Sequence, residues 1–211
     1  MEGGNKPWAV KIGFLGDPHV GKTSLCNNYN GIEFDENIVP TIGAEKFEKK
    51  IRIKSGDEIK LIYWDTSWQE RFRSSSFKCI RSVHAIILVF DITSKSSFEN
   101  LNHWLEDIKD NFDNPNLVLF GNKVDLEEKR EVSKEEIEKF AKNNKIAYFE
   151  TSAKTGNGIN EGFDYIANET YHKLCSRNVP RNIILDEDEY TAGCFGKKKK
   201  KKKKKKKCLF P

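Results

Sequence analysis

Residues 16–23 read Gly16-Asp17-Pro18-His19-Val20-Gly21-Lys22-Thr23, which fits the pattern G-x-x-x-x-G-K-[ST]. The flanks restrict its meaning. Ala9-Val10-Lys11-Ile12-Gly13-Phe14-Leu15 reads as a buried strand before it, and Ser24-Leu25-Cys26-Asn27-Asn28-Tyr29 as the opening of a helix after it. A glycine-rich turn between a strand and a helix lets backbone N–H groups converge on an anion, and the helix N-terminus adds partial positive charge. In such a phosphate loop Lys22 neutralises β- and γ-phosphates, Thr23 offers a hydroxyl to Mg²⁺, and Ser24 follows in the first turn.

The rest of the chain repeats the alternation of strand and helix. Residues 51–54 and 59–64 flank Ser55-Gly56-Asp57-Glu58 and read as a hairpin. Ala85–Phe90 and Leu117–Phe120 are continuous apolar runs, as strands buried on both faces should be. A helix is expected from the cap region Ser96-Ser97 to about Asn111, its apolar face made by Phe98, Leu101, Leu105 and Ile108 with Trp104 beside them. Ser133-Lys134-Glu135-Glu136 is a capping box that opens a helix to about Asn143. Ile146–Glu150 is the last strand and Ile159–Cys175 the last helix. The pattern predicts an α/β fold, a mostly parallel six-stranded sheet with one antiparallel hairpin strand and helices on both faces. Ligands of such sheets lie at the carboxyl ends of the strands.

Charge divides the chain of 211 residues in two. Lys197–Lys207 is an unbroken run of eleven lysines, and without it the net charge of +5 becomes −6. An acidic body with one basic tail points to an electrostatic tether and away from nucleic acid. Five cysteines without framework spacing fit a reduced, cytosolic protein. Met1-Glu2-Gly3-Gly4-Asn5-Lys6 has no apolar core for a signal peptide and no glycine placed for myristoylation. The expected organisation is an extension over 1–8, a folded domain over 9–176 and a disordered tail over 177–211, whose Asp186-Glu187-Asp188-Glu189 and lysine run cannot bury apolar surface.

Three further motifs fall at strand ends: Trp64-Asp65-Thr66, Asn122-Lys123-x-Asp125 and Thr151-Ser152-Ala153-Lys154. With the phosphate loop, in this order and spacing, they make residues 9–175 resemble the Ras superfamily of small GTPases. The resemblance implies a GTP/GDP ligand with Mg²⁺. Asp125 would accept the N1 and N2 hydrogens of guanine, a donor pair that adenine lacks. By the same resemblance Asn122 ties the loop together, Lys123 lies along the base, the Ala153 N–H meets the guanine carbonyl, and Phe34 stacks over the base. Ser152 and Lys154 belong to the same base loop. Thr41 matches the switch I threonine that completes the Mg²⁺ shell, Asp65 the aspartate that holds the ion through water, and Gln69 the glutamine that orients the attacking water.

Within the superfamily the chain is most similar to Rab GTPases. Ile42-Gly43-Ala44-Glu45-Lys46-Phe47, Gln69-Glu70-Arg71-Phe72-Arg73, Phe90-Asp91-Ile92-Thr93 and Ser97-Phe98-Glu99-Asn100 carry that likeness. It implies effectors, exchange factors and activating factors as partners, and a role in vesicle traffic at the cytoplasmic face of a plasma membrane or endomembrane, with a cytosolic pool. Trp64 and Phe47 read either as an effector-facing apolar patch or as core. Two departures stand out. Trp68 occupies the glycine position of D-x-x-G-Q, which predicts a weakened γ-phosphate switch and slow hydrolysis, or a chain that holds guanine nucleotide as a scaffold without turnover. Pro18 supplies no N–H to the phosphates, and His19 adds a side chain beside it. At the end, Cys208-Leu209-Phe210-Pro211 resembles a prenylation box, with an unusual final proline. A prenyl group and the lysine run together form a two-signal anchor for an anionic membrane.

Overall fold

Eight successive buried residues, Trp8–Leu15, form the first strand, β1. Only a strand covered on both faces keeps such a run from water, and β1 lies between two parallel neighbours in the computed structural model, which describes residues 8–37, 44–66 and 82–177. The other strands are β2 (Ala44–Arg52), β3 (Glu58–Thr66), β4 (Ala85–Asp91), β5 (Asn116–Asn122) and β6 (Ala147–Glu150), in the spatial order β2-β3-β1-β4-β5-β6. β2 and β3 pair antiparallel, with Phe47 opposite Tyr63 and Ile51 opposite Ile59, while the other pairings are parallel. The hairpin closes where the Gly56 N–H donates to the Ile53 carbonyl at 2.9 Å, with Gly56 at φ 89°.

The helices are α1 (Lys22–Tyr29), α2 (Lys95–Glu99), α3 (Leu101–Asn111), α4 (Lys134–Asn144) and α5 (Ile159–Ser176). In-register neighbours share a face of the sheet, so Val89 and Phe120 point one way and Phe90 and Gly121 the other. On the first face the Phe163 ring of α5 meets Phe14, Tyr63 and Phe120 and stacks on Tyr29 of α1 at 3.7 Å. On the second, Phe90 packs against Phe98 of α2, which meets Phe140 of α4. Gly121 has no room for a side chain there, because a Cβ would lie 2.8 Å from the Tyr148 hydroxyl and 2.9 Å from the Phe90 ring.

Three local expectations need correction. β2 begins at Ala44, seven residues before the apolar signal at Ile51. Its first half alternates charges, with Glu48 paired to both Lys46 (2.8 Å) and Lys60 (3.0 Å). An outer strand protected by charge carries little hydrophobic signal. The second helical unit starts earlier too, with Ser94 as its cap, and is divided at Asn100 into α2 and α3. Ser97 lies inside that helix, where its hydroxyl accepts from the Asp91 N–H at 3.1 Å. Trp104 sits on the buried face of α3 with Leu101 and Ile108, and not beside it. The capping box of α4 forms as expected: Ser133 Oγ accepts from the Glu136 N–H, and Glu136 Oε2 accepts from the Ser133 N–H. Trp64 is nearly buried, and Phe47 stacks on Tyr63 at 5.4 Å, so the core reading fits both.

One buried contact makes stability pH-dependent. His84 Nδ1 accepts the Lys11 backbone N–H at 3.1 Å, which requires a neutral ring nitrogen. Burial, reinforced by Lys11, pushes the His84 imidazole down from 6.5 to about 4. Above about pH 6.5 the folded and unfolded chains bind the same number of protons at this group; between 6.5 and 4 the unfolded chain takes up a proton that the folded chain refuses. Stability is therefore expected to fall by at most about 2 kcal/mol between pH 7.5 and 5. The carboxylates held below their usual range, Glu48, Glu127 and Glu136, act at lower pH than this window. Urea unfolding at the two pH values measures the loss, and His84→Gln is expected to flatten it.

Candidate functional site

Two loops meet at the carboxyl ends of β1, β3 and β5. The first joins β1 to α1. Gly16 has φ 140°, and a Cβ there would lie 2.1 Å from the Val89 carbonyl oxygen. Gly21 has φ 96°, and its Cβ would lie 2.3 Å from Asn122 Nδ2. Both glycines are fixed by close approach as much as by conformation. Between them Pro18 and His19 are exposed, and His19 takes the left-handed region at φ 64°, which costs a side-chain-bearing residue energy.

Lys22 opens α1 and folds back across the loop, its Nζ donating to the carbonyls of Gly16 (2.8 Å) and Asp17 (2.7 Å). Burial lowers its ammonium from 10.5 to about 8, opposed by Asp65 and Asp17. The cation is thus held across the loop by the loop's own main chain. Thr23 Oγ1 donates to Asp65 Oδ2 at 2.7 Å, joining the first turn of α1 to the fully buried aspartate of β3. Ser24 follows, half-buried in the same turn. The donor set fits a magnesium ion: a hydroxyl and a carboxylate, both hard oxygen ligands, already adjacent.

The second loop follows β5 and is completed by residues after β6. Asn122 is 1% exposed and joins the two loops. Its Nδ2 donates to the Val20 carbonyl at 2.8 Å, and its Oδ1 accepts from the Ala153 N–H at 3.2 Å. The Ala153 N–H assigned to guanine is therefore held here by Asn122. Lys123, at φ 69°, pairs with Asp91. Asp125 is exposed, and its Oδ1 accepts from the buried Ser152 hydroxyl at 2.6 Å, which aims the carboxylate. Ser152 Oγ in turn accepts from the Thr155 N–H at 3.1 Å. Arg130 braces the same segment from behind, donating to Glu127 and to Glu150, both at 2.7 Å.

Phe34 is 38% exposed beside this loop, with the Lys154 ammonium 6.0 Å from its ring centre and paired to Glu36 at 2.9 Å. An exposed pair adds little to stability. It links Glu36, two residues beyond Phe34, to the base loop. Lys154→Ala is expected to speed release of a fluorescent GDP analogue by about threefold with an unchanged melting temperature, as suits an exposed pair.

Sequence reasoning placed Asp17 in the loop but not its side-chain contacts, and it missed Asn28 and Arg130. The Asp17 carboxylate turns away from the loop interior toward α3. Asn28 Nδ2 donates to the Ala153 carbonyl at 3.1 Å, buttressing the base loop from α1. Arg130 carried no motif. The only signal for Asn28 was its position one helical turn or more beyond Lys22, on a helix that had to face the base loop. Thr41, Trp68, Gln69 and Cys208 lie outside the described residues. Among the described residues, no helix is long and apolar enough to cross a membrane.

A glycine loop with its lysine, a hydroxyl–carboxylate pair and an asparagine–aspartate loop, set on this sheet order, define a P-loop GTPase. A sequence model of the Ras family matches residues 11–172. Ras-related protein Rab-13 of Bos taurus is 38% identical over 173 residues, covering 82% of this chain and 85% of that protein. Ras-related protein Rab-11C of Dictyostelium discoideum is 38% identical over 171 residues, covering 81% and 76%. Ras-related protein Rab-26 of Bos taurus is 39% identical over 163 residues, covering 76% and 63%. The chain belongs to the Ras family of small GTPases and is close to its Rab members.

Proposed function

We propose that this protein is a membrane-tethered, Rab-like switch that binds guanine nucleotide with Mg²⁺, hydrolyses GTP slowly and acts in vesicle traffic. The observation that carries the nucleotide reading is Asn122, whose side chain bonds the phosphate loop through Val20 and the base loop through Ala153. Phosphate and base recognition are thereby built as one unit.

Lys22 exchanges the Gly16 and Asp17 carbonyls for phosphate oxygens. Gly16, Val20, Gly21 and Ser24 present backbone around the phosphates, and Asp125 accepts the guanine N1 and N2 hydrogens while Phe34 and Lys123 flank the ring. Thr23 and Asp65, with Thr41, would hold Mg²⁺, which neutralises charge on the β- and γ-phosphates. Gln69 orients the attacking water. Trp68 keeps a backbone N–H for the γ-phosphate but removes the conformational freedom and space a glycine gives. Slow hydrolysis follows, with a long-lived GTP state that effectors read through loops ordered by γ-phosphate contacts and released after hydrolysis. The folded domain over 9–176 is tethered by the tail over 177–211. Cys208 carries a prenyl group, and the eleven lysines engage an anionic leaflet, each contributing about 1 kcal/mol at most.

Single-turnover hydrolysis by the wild type and Trp68→Gly tests the chemistry. The glycine variant is expected to be faster by about tenfold, the scale of one transition-state contact; equal, measurable rates overturn the role given to Trp68. A second reading, a nucleotide-holding scaffold, is favoured by the proline and the left-handed histidine inside the loop, and bound GTP that persists in both proteins would establish it. Cys208→Ser is expected to move the protein to the soluble fraction, and unchanged membrane association overturns the lipid anchor.

A further inference from the structure

Asp17 is the second residue of the phosphate loop, yet its carboxylate does not enter the loop. Oδ2 accepts from Asn100 Nδ2 at 2.7 Å, and Oδ1 accepts from Trp104 Nε1 at 2.8 Å. The two donors are four residues apart on one helical face, Asn100 at the α2–α3 junction and Trp104 one turn into α3. Trp104 is 6% exposed and packed in the core, so its N–H is a fixed post. The Asp17 carbonyl, meanwhile, accepts from Lys22 Nζ at 2.7 Å.

One residue therefore ties the loop in two directions: its main chain to the phosphate-binding lysine and its side chain to a helix on the sheet. The next two positions cannot replace that anchor. Pro18 has no N–H to donate, and His19 is held at φ 64°, a conformation that relaxes if its neighbours are released. The orientation also has an electrostatic purpose. A carboxylate turned inward would repel phosphate, and two N–H donors hold it outward.

We propose that Asp17, Asn100 and Trp104 form a clamp that keeps the phosphate loop in its nucleotide-receiving shape and sets how long the nucleotide stays bound. They are positioning residues, and the proposal rests on the guanine-nucleotide reading above. The clamp makes a specific claim about coupling. Asp17 and Trp104 act through one hydrogen bond, so their losses do not add. It also makes a claim about rescue. An amide at position 17 can accept from Trp104 while Asn100 turns its own amide to accept the new N–H, which restores both contacts without charge.

The test is the release rate of a fluorescent GDP analogue from the full chain, read beside the melting temperature. Asp17→Ala is expected to release it about tenfold faster and Trp104→Phe about fivefold faster, the scale of a lost charge-assisted hydrogen bond. The double variant should be no faster than Asp17→Ala, and Asp17→Asn should stay within about twofold of wild type, since it keeps both contacts. In ¹⁵N spectra the Trp104 indole N–H, assigned by its loss in Trp104→Phe, should shift in Asp17→Ala. Release at the wild-type rate in both single variants, or additive effects in the double variant, overturns the clamp while leaving nucleotide binding intact. Lower melting temperatures with unchanged release reduce the contacts to packing and overturn it equally. A wild-type chain that does not bind the analogue overturns the guanine-nucleotide reading itself, and the clamp's role with it.

Discussion

Asp125→Asn is expected to exchange the guanine preference for xanthine. The carboxylate offers two acceptors to the adjacent N1–H and N2–H donors of guanine. An amide offers one acceptor and one donor, which matches xanthine, where a carbonyl replaces the amino group. A site built to hydrogen-bond a ligand rejects strongly one that leaves its polar groups unmatched. GDP affinity should fall by about 100-fold or more, and xanthosine diphosphate should become the better ligand. The Ser152 hydroxyl, 2.6 Å from the carboxylate, can still orient the amide, so the fold should be unaffected. Competition titration with the two nucleotides reads the ratio directly, and an unchanged ratio would remove Asp125 from base recognition.

Asn122→Ala should injure both fold and binding. The side chain is 1% exposed and satisfies the Val20 carbonyl and the Ala153 N–H in the interior. Leaving buried groups without partners costs about 1–3 kcal/mol each, so urea unfolding should show a loss of about 3 kcal/mol. Nucleotide affinity should drop further than that loss alone implies, because the phosphate and base loops are no longer held to each other. A variant that loses stability but keeps wild-type affinity would mean that the two loops are independently formed.

The sheet was legible where burial leaves a simple trace. Ala85–Phe90 and Leu117–Phe120 are strands whose two covered faces demand continuous apolar residues, Ala9–Leu15 follows the same pattern apart from Lys11, and all three were placed by it. The first half of β2 was not, because its residues satisfy charge pairs with β3 and leave no apolar period. Lys22, Thr23, Asn122 and Asp125 carried a sequence signal because the phosphate and base recognition proposed for them would fix residue type and spacing along the chain. Asp17, Asn28, Trp104 and Arg130 support them through contacts between distant segments, such as the 87-residue separation between Asp17 and Trp104. No local pattern encodes such a pairing. Trp104 shows the difficulty best: its helical position was visible, but its N–H partner depended on where the sheet carried the phosphate loop.

The Asp17 contacts with Asn100 and Trp104, the two-loop asparagine and the lysine bonded to two carbonyls tie the phosphate loop to its surroundings from three sides. In the proposed function, Trp68 is what separates binding from turnover. The most direct measurement is to purify the full chain with Mg²⁺, denature it, identify the released nucleotide by chromatography, and follow the bound GTP fraction with time. About one guanine nucleotide per chain is expected, as the mass-action consequence of tight binding, with GTP converting to GDP slowly. A chain that carries no nucleotide and takes up none when supplied, or one that holds adenine nucleotide, would contradict it.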